Sequence, residues 1–153
     1  MIPEVDLLLL LRASLAAALG LVIGWERESW GSPAGDGTIA LLGLGSAVFT
    51  ALALSIVSNQ ADRIVAGIVT GVGFLGAGVV MRQSTGEVRG LTTAASVWAV
   101  AGVGVVIGTG RYLQGVLLAA LILLILIWEA LPIVSGIGHR KKRAPGEELS
   151  RPR

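Results

Sequence analysis

The chain of 153 residues contains no cysteine, so disulfides, thiolate metal sites and a cysteine nucleophile are all excluded. It has a single histidine, His139, close to the C-terminal end. No Ser-His-Asp triad or histidine zinc site can be assembled around it, and the chain does not read as an enzyme. Charge is scarce as well: Asp, Glu, Lys and Arg make up 14% of the residues, and they fall between and after the apolar runs. No carboxylate lies securely inside a run, which is where a path for a divalent ion through lipid normally shows one.

What is abundant is apolar surface and glycine. Hydrophobic residues reach 54% and there are 22 glycines, a composition beyond that of ordinary soluble domains. Apolar runs extend from Leu7 to Ile23, Ile39 to Val57, Ile64 to Met81, Leu91 to Ile107 and Leu113 to Trp128. Each approaches the ~20 residues that cross ~30 Å of hydrocarbon, so the expected fold is all-α, a polytopic transmembrane bundle of about five helices. The third and fourth runs are short enough for one of them to be tilted, broken or re-entrant instead. One membrane domain over residues 1–138 is expected, followed by a basic, disordered tail over 139–153. The acidic start "MIPEVD" does not suit a cleaved signal peptide.

Orientation follows from the cations. With five crossings, Arg27, Arg82, Arg89 and the six basic residues after Gly138 share one side, against Arg63 and Arg111 on the other. The positive-inside rule then places the N-terminus outside and the C-terminus in the cytoplasm. The "HRKKR" run reads as a topology anchor on anionic lipid, with no nucleic-acid role. Arg12, just inside the first run, is expected either to snorkel to the interface or to pair with Asp6 or Asp62. Glu129 sits at the interface, or is buried if the last helix continues past it.

Glycine concentrates in "GIVTGVGFLGAGVVM", residues 67–81. Since lipid tails are as apolar as leucine, membrane helices associate through close packing, and small residues allow it. Gly67, Gly71 and Gly78 share one helical face, and Gly73 and Gly76 spread over the other side. Two such faces imply two neighbours, which places the third helix near the middle of the core. Gly20 and Gly24 in the first helix and Gly104 and Gly108 in the fourth extend the pattern, and the leucine-rich fifth helix lacks it. The alternative use of these glycines is to free carbonyls for an ion path.

The connections carry the polar candidates. Glu26, Arg27, Asp36, Arg82, Glu87 and Arg89 come from two loops on one side and are expected to meet beneath the core. Asp36, Thr38, Asp62, Thr92 and Thr93 are candidates for helix N-caps. Carboxylates crowded by arginine make a poor Mg²⁺ cage, so Mg²⁺ association has no clear ligand set and no cofactor is expected.

These segments together resemble the MgtC/SapB family of bacterial inner-membrane proteins. The likeness rests on "GLVIGWERE" closing the first helix, "DRIVAGIVTGVGFLGAGVVMR" in the third and "VRGLTTAASVWAVAGVGVVIGTG" through the fourth. It covers Leu7 to Glu129. The resemblance implies a multi-pass protein of the plasma membrane, linked to magnesium limitation and, in pathogens, to survival in phagocytes. It implies regulation by contact with other membrane proteins, such as the ATP synthase or a magnesium transporter, with a homo-oligomer also open. A transporter or channel for Mg²⁺ or another small ion is the alternative. Matching family positions are Glu26, Arg27, Asp62, Arg63, Gly71, Gly73, Gly76, Gly78 and Arg89 to Ala94. "GDGT" at Gly35 to Thr38 replaces the "GLRT" of many relatives, and the soluble C-terminal domain of some members is not expected here.

Overall fold

The computed structural model describes residues 3–56, 61–82 and 88–130. Glu87, the basic tail, and the side chains of Asp6, Arg82 and Glu129 lie outside the described residues. Five helices follow one another: α1 Pro3–Ser29, α2 Asp36–Ile56, α3 Ala61–Val79, α4 Leu91–Gly108 and α5 Tyr112–Ala130. Between α3 and α4 a two-stranded antiparallel ribbon, β1 Met81–Arg82 and β2 Val88–Arg89, pairs Met81 with Arg89. The helices α1 to α4 are long and apolar enough to cross a membrane, and the apolar stretch of α5, Tyr112–Trp128, is shorter. Short connections make successive helices antiparallel. The C-terminal ends of α1 and α3 and the N-terminal ends of α2 and α4 therefore share one end of the bundle, the Glu26 end; the opposite one is the Arg12 end.

The core is built on α2, which packs against α1 and α4. A Cβ placed on Gly24 of α1 would lie 2.5 Å from Asp36 Cα, and one on Gly20 would lie 2.8 Å from Ala40 Cα. On the other side of α2, a Cβ on Gly104 of α4 would strike the Gly43 carbonyl, and one on Gly108 would come 2.6 Å from the Ala47 carbonyl. Gly43 of α2 itself lies against the Ala16 carbonyl and Val100, a close approach that the sequence reading did not single out. These backbones are as near as they are because no side chain stands between them. Ile23, Ile39, Val100, Val103 and Ile107 fill the space alongside, each almost fully buried.

The third helix departs from expectation. It packs mainly on α4, with slight contact to α2, and lies at the edge of the bundle. Among the described residues, Gly76 meets Ala94 of α4 at 3.7 Å, and around Gly67, Gly71, Gly73 and Gly78 there is nothing within 4 Å of an added Cβ. The middle position goes to α2 because Ala40, Gly43, Ala47 and Ala51 leave it small and buried along its length.

An added methyl should therefore separate the two sets of glycines. Gly104→Ala should destabilise the bundle by roughly 1–3 kcal/mol through overpacking, whereas Gly67→Ala should be neutral or stabilising by up to about 1 kcal/mol through helix propensity. Reversible unfolding in mixed micelles measures both, and equal losses would contradict the packing described.

Candidate functional site

The polar candidates at the Glu26 end are placed by the way α1 stops. The helix does not end at Ile23 but continues through "WERE" to Ser29, so Glu26 and Arg27 stand on its last turns rather than in a loop. It closes where Trp30 and Ser32 both donate their N–H to the Arg27 carbonyl, at 3.1 Å each, and Gly31 donates to Glu28 at 2.9 Å. Gly31 takes φ 72°, the left-handed turn that reverses the chain.

That reversal delivers Ser32 to α4. Its hydroxyl lies 2.9 Å from that of Thr93, which is only 1% exposed. The Glu28 carboxylate accepts the Asp36 N–H at 3.0 Å, satisfying one orphan donor at the start of α2 from outside that helix. Both carboxylate oxygens of Glu26 and the Nε of Arg27 are shielded from solvent. Glu28 with Asp36 and Ser32 with Thr93 thus make a polar layer contributed by α1, the turn, α2 and α4, and Glu26 and Arg27 stand beside it on the last turns of α1.

Of the capping expectations, Asp36 does meet a first-turn N–H of α2, and Thr92 and Thr93 change role. Gly35 opens α2, its carbonyl accepting from Thr38 at 3.1 Å, and Asp36 turns its side chain to the Gly37 N–H. Gly90 opens α4 at φ 89° with no side-chain cap, so Thr92 and Thr93 do not serve. Gly90 is required there on two counts, its backbone angle and a position where any Cβ would collide with the Val79 carbonyl. Thr92 instead offers its carbonyl to Ser96 at 2.8 Å. Arg82 and Arg89 lie in the ribbon at this same end, Arg89 exposed.

Asp62 and Arg63 do not join the layer. They are exposed in the first turn of α3, at the Arg12 end, about 28 Å away along a helix of this length. At that end Arg12 does more than reach for water. Its Nη1 donates to the Gly108 carbonyl at 2.9 Å and its Nε to the Tyr112 hydroxyl at 3.3 Å. A cation therefore closes the negative end of α4. Sequence spacing carried no sign of this contact or of the Ser32 to Thr93 pair, since 96 and 61 residues separate the partners. Among the described residues no three acidic or histidine side chains come together to hold a metal ion.

Within this layer the Ser32 and Thr93 hydroxyls should be coupled. Thr93→Val is expected to cost about 0.5–1.5 kcal/mol, and adding Ser32→Ala should cost little more. A double-mutant cycle by micelle unfolding decides it; strictly additive losses would mean the two hydroxyls act independently.

The MgtC family model matches residues 14–131. Protein MgtC of Salmonella typhimurium (strain LT2) is 45% identical over 118 residues, covering 75% of this chain and 50% of that protein. Protein SapB of Bacillus subtilis (strain 168) is 34% identical over 140 residues, 85% of this chain and 60% of its own length. YhiD of Escherichia coli (strain K12), a name linked with magnesium transport, is 41% identical over 126 residues, 76% of this chain and 58% of YhiD. The chain thus spans between half and three-fifths of these relatives. No solved structure matches it significantly.

Proposed function

The chain belongs to the MgtC family, and on that premise we propose that it is a small regulatory protein of the bacterial inner membrane, linked to magnesium limitation or envelope stress. It works not as an enzyme but through contacts of its helices with other membrane proteins, for which the ATP synthase or a magnesium transporter is the family's precedent. The Glu26 end faces the cytoplasm, by the excess of arginine in its connections.

The observation that carries this reading is the free side of α3. Ala66, Thr70, Gly73 and Ala77 recur at spacings of four, three and four residues, and all are exposed. Thr70 hides its hydroxyl on the Ala66 carbonyl at 2.9 Å, so the strip is small and apolar. In lipid such a strip allows a second helix to approach closely, where Leu or Phe would hold it off. Among the described residues α3 packs mainly on α4 and less on α2, and this side of it stays exposed.

A second reading, a transporter or channel for Mg²⁺ or another small ion, takes support from the name of YhiD and from the shielded Glu26 carboxylate. The two are separated by one pair of measurements. Under regulation by contact, Gly73→Leu should keep the fold and lower co-purification of membrane partners about tenfold, and the purified chain in liposomes should pass no Mg²⁺. Flux above that of empty vesicles, lowered by Glu26→Gln without loss of folded protein, would instead establish transport.

A further inference from the structure

Because α3 leans on α4 and barely on α2, a lateral groove of about 760 Å³ remains between α2 and α3. Leu41, Gly45 and Phe49 form one wall, and Gly67, Gly71 and Leu75 the other. Gly67 and Gly71 keep it open, since a Cβ on either would meet nothing within 4 Å. Thr38 and Ser46 are the polar side chains of its lining. Water at that depth would find few partners, so hydrocarbon or protein must fill the space.

Its length and the residues at one end choose between those occupants. Along α2 the groove runs from Thr38 to Phe49 and along α3 from Val79 to Ile64, about 17 and 23 Å at 1.5 Å per residue. That exceeds the ~15 Å of one leaflet and falls short of the ~30 Å a spanning helix occupies. Thr38 and Val79 line the end of the groove that lies at the Glu26 end of the bundle, and there Gly90 abuts the Val79 carbonyl and brings β2 beside the groove. Arg89 of β2 is exposed there, and so is Thr38 at the start of α2. The Asp36 carboxylate nearby is turned to the Gly37 N–H. A cation and a hydroxyl above an apolar slot match an anionic headgroup on an acyl chain.

We propose that the α2–α3 groove retains one anionic phospholipid of the bilayer, its acyl chain between Gly45, Phe49 and Gly71 and its phosphate against Arg89 and Thr38. The site is distinct from the strip on α3 that includes Gly73, which faces the other way on the helix, and it does not depend on the regulatory reading.

The test is native mass spectrometry of the full chain in mild detergent, offered phosphatidylglycerol and phosphatidylcholine with identical acyl chains. Wild type should retain one phosphatidylglycerol with roughly tenfold preference. Gly67→Leu with Gly71→Leu should grow side chains into the groove and abolish retention, Gly73→Leu should leave it unchanged, and Arg89→Gln should retain lipid without the headgroup preference. Circular dichroism verifies that each variant is folded. Undiminished lipid on the doubly substituted protein would overturn the proposal, as would equal retention of the two lipids by wild type. So would a wild-type dimer, free of lipid, that the double substitution dissociates, since a second copy would then be the occupant. Phosphatidylglycerol with a photoactivatable acyl chain gives an independent reading on the unsubstituted protein. Crosslinks should concentrate on Gly45 to Phe49 and Gly67 to Leu75, and an even spread over the outer face of α5 would equally overturn it.

Discussion

Close backbone approach along α2 is the constraint on which the rest of the structure depends. In water, burial of apolar area would draw these helices together whatever their shape; in hydrocarbon it does not, and association needs dispersion and polar contacts at short range. The chain meets that need by removing side chains at Gly20, Gly24, Gly43, Gly104 and Gly108, so that backbone lies on backbone on both sides of α2. Helix α5 is fitted on the same terms, with Gly115 lying against Ile107 of α4.

Polar contacts then fix the ends of the bundle. At one end Glu28 supplies an acceptor to the start of α2, and the Ser32 hydroxyl meets Thr93 across the turn; at the other Arg12 closes the last turn of α4. Each of these bonds ties α1 or the turn that follows it to another helix, so the register set by the glycines in the middle is repeated at both ends. Beside such ties, the shielded oxygens of Glu26 stand on the last turns of α1 and not in a free loop.

Against that framework α3 is the exception, and its exception is where function has room. A helix this rich in glycine has little intrinsic stability, yet among the described residues most of its glycines meet no neighbouring helix. Its two open sides differ in kind. One faces a long apolar slot whose Val79 end lies beside the ribbon that carries Arg89, and the other carries a narrow strip of small residues suited to another helix.

By itself the sequence determined the family and the five helices, because an apolar run of about 20 residues and an ordered set of motifs are local properties that survive any arrangement of neighbours. It also marked the close-packing glycines of α1 and α4, since Gly20 with Gly24 and Gly104 with Gly108 sit at the four-residue spacing that presents one face. Only the tertiary structure decided which glycine faces are occupied. Periodicity shows that a face is small and not what lies across from it, so α3 read as central while α2, with Gly43 half hidden among leucines, took that place. The polar layer was legible in part for the same reason. Glu26, Arg27 and Asp36 stood out as charges at helix ends, whereas Ser32 meeting Thr93 and Arg12 meeting Gly108 are contacts between distant positions that exist only once the helices are packed.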